Sequence, residues 1–138
     1  MEEKRSVYFI INPAAGNKDP VLDQIEAKFE DSCFDYQIAI THGSSDAFNF
    51  ANAVKGKVDL IVVYGGDGTV MQVARALFKS ETPLAIIAGG TANVMAKEFK
   101  IPLDPPEALD IIKSGKWVFK RIDMGVVNKK PFLIRINL

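Results

Sequence analysis

Three short loops hold the residues whose types and spacing could do chemistry: Asn12-Pro13-Ala14-Ala15-Gly16-Asn17, Gly65-Gly66-Asp67-Gly68-Thr69 and Gly89-Gly90-Thr91-Ala92-Asn93. Each follows a short apolar run and precedes a stretch with helical spacing, so backbone N–H groups and a helix N-terminus face the same rim and form a natural cradle for phosphate. A single glycine loop of this kind reads as a tight strand-to-helix turn; three together read as a site. The second loop carries the strongest signal. Gly65, Gly66 and Gly68 keep side chains out of the approach path, while Asp67 and Thr69 add a carboxylate and a hydroxyl. A carboxylate beside a phosphate repels it unless a cation lies between them. Asp67 therefore points to Mg²⁺ bridged to phosphate oxygens, or to a hydrogen bond to ribose or another acidic group through water. Capping a helix that opens near Thr69 is compatible with either use.

The elements that must position these loops alternate along the chain. Residues 7–11, 36–40, 60–64, 84–88, 118–123 and 132–136 are β-branched or aromatic-rich runs bounded by Gly, Pro, Asn or Asp, and read as strands. Runs 60–64 and 84–88 show little polar alternation, so both of their faces should be covered, as in a parallel sheet. Between them lie helical stripes. Asp19-Pro20 opens one with Leu22, Ile25 and Phe29; Ser44-Ser45-Asp46 opens another with Ala47, Phe50, Ala51 and Val54, ending at Gly56; Thr69 opens a third with Val70, Val73, Ala74 and Leu77. A short helix is predicted over 94–99, and a capping-box-like Asp104-Pro105-Pro106-Glu107 starts one that runs to Lys113, with Gly115 just beyond. Strand and helix in alternation predict an open, mostly parallel Rossmann-like α/β sheet of about six strands with helices on both faces. In such sheets ligands sit beyond the carboxyl ends of the strands, where the three loops fall.

At 138 residues the chain is sized for one domain with a single core. Apolar residues at 48% and charged residues at 25% exclude a disordered or collagen-like chain. Seventeen basic side chains balance seventeen acidic ones, which leaves no excess to attract a nucleic-acid backbone or an anionic membrane from a distance. No nucleic-acid partner is expected, and any lipid contact must be local. A lone cysteine, Cys33, allows no internal disulfide. With no signal peptide and no apolar run near the roughly 20 residues needed to span a bilayer, a cytoplasmic location is expected.

Several common chemistries are excluded by spacing. The dinucleotide fingerprint would need glycine where Met71 stands, the P-loop pattern occurs nowhere, and protein-kinase catalytic-loop motifs are absent. His42, the single histidine, has no Ser or Cys nucleophile motif attached and reads as a turn residue near the end of the second strand. Cys33 reads as a packed or surface thiol, and Trp117 as packing near the sheet edge.

At these loops the sequence resembles the diacylglycerol kinase catalytic domain family, which includes sphingosine kinases, ceramide kinases and many bacterial lipid kinases. Asn12-Pro13 with Gly16 is similar to the family's N-P-x-[SA]-G loop, Gly65 to Thr69 to its G-G-D-G-T, and Gly90-Thr91-Ala92-Asn93 to its G-T-[GA]-N. Thr41-His42, Ala96 with Ile101-Pro102, and Ile122-Asp123-Met124-Gly125 stand where the family has T-H, A-x-x-[LF]-x-I-P and I-D-[LV]-G. Three positions depart from it: Gln72 replaces a frequent acid, Ala88 a common proline, and Val94 a frequent Asp.

The resemblance implies the nucleotide-binding half, residues 1–138, of a two-domain ATP-dependent lipid kinase that phosphorylates a hydroxyl of a diacylglycerol-like lipid at a membrane surface. Its cofactors would be ATP and Mg²⁺. Asn12, Pro13, Gly16, Thr41, Gly65, Gly66, Asp67, Gly68, Thr69, Gly90, Thr91 and Asn93 would bind the nucleotide, Asp67 the metal, and Asp67 with Asp123 would act together in catalysis. The family's C-terminal β-sandwich, which supplies most of the lipid site, is expected to lie beyond this chain. The apolar strand 132–136 would then be an edge open to self-association. Two other readings are an NAD-kinase-like phosphotransferase, which shares the G-G-D-G-T loop, and a nucleotide-binding module without catalysis.

Overall fold

The computed structural model describes residues 4–13, 20–90, 93–98, 100–119, 121–127 and 130–137, with side chains of 94, 98, 121–127 and 130–137 left aside. Its elements run β1 (Arg5–Ile11), α1 (Pro20–Phe29), β2 (Phe34–Ile40), α2 (Asp46–Val54), β3 (Leu60–Gly65), α3 (Asp67–Ala76), β4 (Leu84–Ala88), α4 (Val94–Glu98), α5 (Pro105–Lys113), β5 (Arg121–Val127) and β6 (Lys130–Asn137). The first four strands form one parallel sheet in the order β2-β1-β3-β4.

Alternation along the strands sends side chains to two apolar layers, one on each face of the sheet. Val7, Phe9 and Ile11 of β1, Leu60 and Val62 of β3 and Ile87 of β4 meet Val21, Ile25 and Phe29 of α1 and Ala108, Leu109 and Ile112 of α5. Ile10, Ile61, Val63, Ile86 and Ala88 face the other way, against Ala47 and Ala51 of α2, Val70, Val73 and Ala76 of α3, Leu77 just beyond its end, and Ala96 of α4. β3 is buried from Leu60 to Val63, as its unbroken apolar run requires when helices cover both faces. Burying each of the large side chains contributes roughly 1.5–3 kcal/mol, so the sheet is held by its two helical layers.

Four expectations are corrected. The parallel sheet has four strands, because β5 and β6 pair antiparallel in a sheet of their own, from Arg121 opposite Asn137 to Val127 opposite Lys130. Their sequences alternate polar and apolar residues in part, Arg121-Ile122-Asp123-Met124 and Ile134-Arg135-Ile136-Asn137 among them, which suits an antiparallel ribbon better than a strand covered on both faces. The strand predicted from 118 begins at Arg121; Val118 and Phe119 are unpaired and exposed. On α1 the buried stripe is Val21, Ile25 and Phe29, with Leu22 at its margin. α3 opens at Asp67 rather than Thr69, because Gly66 is extended (φ −83°, ψ −175°) and takes the N-cap place.

Other features agree with the sequence. α2 ends before Gly56 and α5 before Gly115, both in the left-handed region at φ 78° and 73°, where glycine avoids the Cβ clash. Trp117 stacks on Phe34 at the start of the edge strand β2 (5.5 Å), receives the Arg5 guanidinium 4.2 Å over its ring, and donates its indole N–H to Ile112 O at 2.8 Å. Cys33 is exposed with a free thiol. No helix among the described residues is long and apolar enough to cross a membrane.

Candidate functional site

The sheet order places the site. From β1 the chain crosses to β2 through α1 on one face; from β2 it returns past β1 to β3 through α2 on the other. The exits of β1 and β3 are therefore neighbours whose loops turn to opposite faces, and the crevice between them is the switch point where open α/β sheets hold ligands. The sheet ladder continues into this crevice through Asn12 N–H to Tyr64 O (2.9 Å), Thr41 N–H to Ile11 O (2.9 Å) and Gly89 N–H to Gly65 O (3.0 Å).

Side chains from three strand ends meet there. The Thr41 hydroxyl donates to Asn12 Oδ1 at 3.0 Å, and Asn12 Nδ2 donates to the Thr69 hydroxyl oxygen at 2.8 Å. Thr41 and Thr69 are each only 7% exposed, while Asn12 lies on the rim. Thr41 is steadied from below by its neighbours: Asp46 accepts the N–H groups of His42 (2.7 Å) and Gly43 (2.8 Å). Those two bonds, the His42 one foremost, hold the Asp46 carboxyl below the usual carboxylate range.

The glycines divide by what surrounds them. A Cβ on Gly65 would meet the Thr69 side chain at 2.9 Å, one on Gly89 the Tyr64 ring at 2.8 Å, and one on Gly90 the Gly66 Cα at 2.7 Å. These three permit close packing, and the Gly66–Gly90 approach brings the second and third loops together backbone to backbone. Gly68 differs, since a Cβ there would meet no described residue within 4 Å. It is not in the left-handed region either, so no backbone strain calls for glycine at this position. What Gly68 leaves open is the space over the first turn of α3, where the first N–H groups of a helix lack partners within it.

Asp67 stands at the first position of α3, and its Oδ1 accepts the N–H of Met95 at 2.9 Å. It does not cap α3 in the predicted sense; it joins the start of α3 to the start of α4. Asn93 closes the third loop on itself, accepting Gly90 N–H through Oδ1 (2.9 Å) and donating through Nδ2 to Gly90 O (2.8 Å), at φ 50°. Its carbonyl then receives Lys97 N–H at 3.0 Å, so Asn93 caps α4.

Asn12, Thr41, Gly65, Gly66, Asp67, Gly68, Thr69, Gly90 and Asn93 thus gather at one crevice, and Pro13 follows Asn12 at its edge. Gly16 and Thr91 lie outside the described residues. Asp123 is placed only by its backbone, opposite Arg135 in the β5–β6 ribbon. The participants that sequence reasoning missed are the Met95 N–H, the Tyr64 ring and the carboxylate of Asp46 as a loop brace. Only Asp46 left a local sign, as an acid four residues beyond His42. Among the described residues no group of three or more His, Cys, Asp or Glu could hold a metal ion by itself. Mg²⁺ needs no such cage, because one or two carboxylates with phosphate oxygens and waters complete its shell.

An open parallel α/β domain with its strand-end loops gathered at one switch point is the class that fold and site define. Residues 6–127 match the diacylglycerol kinase catalytic domain, and the chain belongs to that family. It is 35% identical over 135 residues to a Streptococcus pneumoniae protein named at the level of lipid kinase, covering 93% of this chain and 45% of that protein. It is 25% identical over 135 residues to a diacylglycerol kinase of Staphylococcus carnosus, covering 94% and 44%. A crystal structure of a diacylglycerol kinase from Bacillus anthracis superposes with a TM-score of 0.75 at 34% identity, over 94% of this chain and 44% of that one. The chain therefore spans about half the length of the relatives it matches.

Proposed function

We propose that this chain is the nucleotide-binding half of a lipid kinase that moves the γ-phosphoryl group of ATP to a hydroxyl of a diacylglycerol-like lipid. The observation that carries the reading is Gly68: Gly65, Gly89 and Gly90 are explained by packing inside the protein, whereas no described residue lies within 4 Å of a Cβ on Gly68. The space it leaves adjoins the first-turn N–H groups of α3 and a threonine hydroxyl, the kinds of donor a polyphosphate needs. In the transfer the bond from the γ-phosphorus to its bridging oxygen breaks and one to the lipid oxygen forms. The chain's part is positioning and charge stabilisation, which dominate phosphoryl transfer. Gly68 and Thr69 would hold phosphate oxygens. Asp67 would hold Mg²⁺, whose chemistry there is to neutralise charge between the phosphates. The acceptor hydroxyl and the base that takes its proton are assigned to the remaining length of the family's chains, at a membrane surface.

The test is ATP affinity measured calorimetrically with and without Mg²⁺ for the wild type and Asp67→Asn. Asparagine keeps an oxygen for the Met95 N–H, so the fold should stand while the gain in affinity from Mg²⁺ disappears. Absence of ATP binding by the folded wild type would defeat the reading. An unchanged Mg²⁺ dependence in the variant would leave Asp67 a structural role, such as its bond to Met95.

A further inference from the structure

We propose that Asn12 and Thr41 are positioning residues which fix the direction in which the Thr69 hydroxyl donates. The inference rests on the nucleotide reading above and deepens it. A threonine hydroxyl has one proton to give and lone pairs to receive. Thr41 gives its proton to Asn12 Oδ1 (3.0 Å), and Asn12 gives an amide proton to the Thr69 oxygen (2.8 Å). With that lone pair occupied from the Asn12 side, the proton of Thr69 is directed away from Asn12.

No acceptor among the described residues takes that proton. A helical threonine commonly returns it to the carbonyl four residues earlier. Here that carbonyl, Gly65 O, receives Gly89 N–H at 3.0 Å and no bond from Thr69. Thr69 is 7% exposed, so a donor left without an acceptor there is costly, and an anionic oxygen arriving over Gly68 would supply one. The opposite sense of the chain, with the amide oxygen of Asn12 toward Thr69, would consume the proton and turn lone pairs toward the incoming phosphate. A bound polyphosphate therefore favours the observed sense, and the three residues should respond to it as a unit. Their places at the ends of β2 and β1 and in the first turn of α3 make this chain a link across the switch point.

The experiment is calorimetric ATP affinity for the wild type, Asn12→Ala, Thr41→Val, Thr69→Val, Thr69→Ser and the two double variants that add Asn12→Ala or Thr41→Val to Thr69→Val, with circular dichroism to show that each is folded. Loss of one charge-assisted hydrogen bond predicts about a tenfold weaker affinity for Thr69→Val, and Asn12→Ala should approach it. Asn12→Ala should then weaken binding less than about twofold when Thr69 is already Val, because the residue it acts through is gone. Thr69→Ser, which keeps the hydroxyl, should stay within about threefold of the wild type. Thr41→Val is nearly isosteric and reports the same dependence on Thr69 should Asn12→Ala fail to fold. Equal losses from Asn12→Ala, or from Thr41→Val, in both backgrounds would overturn the proposal, as would a Thr69→Ser as weak as Thr69→Val. Failure of the wild type to bind ATP would instead strike the nucleotide reading, so the two failures are separable.

Discussion

The second and third loops look alike in sequence, each a glycine pair after a strand with a threonine and a polar residue close behind, yet the structure uses them differently. In the second loop no described residue lies within 4 Å of a Cβ on Gly68, and the Thr69 proton has no acceptor among the described residues. In the third, both ends of the Asn93 amide close on Gly90, and the Gly90 Cα lies against Gly66. On the proposed function the second loop is the surface for the ligand and the third its buttress. Glycine-rich composition alone does not separate these roles; the neighbours of each Cα do.

Gly90→Ala should give the largest effect, because it attacks both roles. Its Cβ would fall 2.7 Å from the Gly66 Cα, a backbone atom that cannot swing aside, so the loops must separate. Overpacking of this kind costs about 1–3 kcal/mol of stability. ATP affinity should fall well over tenfold, measured by calorimetry beside a thermal melt. A variant with native melting and native affinity would show that the contact between the loops carries nothing.

Gly68→Val comes next and separates the roles. No described residue lies within 4 Å of the added Cβ, and the backbone angle is ordinary, so stability should change by less than about 1 kcal/mol. ATP affinity should still fall about tenfold or more, because the side chain occupies the approach to α3. Loss of fold without a selective loss of binding would place Gly68 with the packed glycines.

The sequence made the central strand β3 legible because a strand covered on both faces must be apolar throughout, and Leu60 to Val63 announce that locally. The strand-end loops were legible for the same reason, as they begin where the runs stop. The start of α3 was placed two residues late, because the extended backbone that makes Gly66 an N-cap has no side chain to signal it. The ribbon of β5 and β6 reads as part of the main sheet from its short apolar runs, although Arg121, Asp123 and Arg135 carry the alternation of an antiparallel pair. The bonds within the site lay beyond sequence reasoning. Asn12 reaches Thr69 across 57 positions and Asp67 reaches Met95 across 28, and spacing says nothing about which distant partner a side chain will find.

Asn93 offers a finer test of the buttress. At φ 50° it sits where an ordinary side chain is strained by about 1 kcal/mol, and its amide makes two bonds to Gly90. Asn93→Gly removes the bonds and relieves the strain; Asn93→Ala removes the bonds and keeps the strain. Thermal melts should therefore rank wild type above Gly and Gly above Ala, with the two variants about 1 kcal/mol apart, and ATP affinity should fall only a few-fold in either. Equal melting of the two variants would mean that the backbone leaves the left-handed region once the amide is gone.

The smallest effect lies at the brace beneath Thr41. Asp46 is held below the usual carboxylate range by the N–H groups of His42 and Gly43, and secondarily by the charge of His42. A carboxyl whose folded value is depressed contributes stability above its unfolded value, near 3.9, and loses it as pH falls through the folded value. As pH falls below about 4 and through the folded value, the turn at 41–46 should loosen while the sheet stays intact. Amide hydrogen exchange followed by NMR should show His42 and Gly43 losing protection over that interval, beyond the intrinsic pH dependence of exchange. In Asp46→Ala both amides should already be unprotected at pH 5, with no further acid-dependent loss. The same acid-dependent loss in Asp46→Ala would assign the transition to another group. Because the brace meets the site only through Thr41, ATP affinity at neutral pH should change less than about threefold in Asp46→Ala, less than for any substitution in the loops themselves.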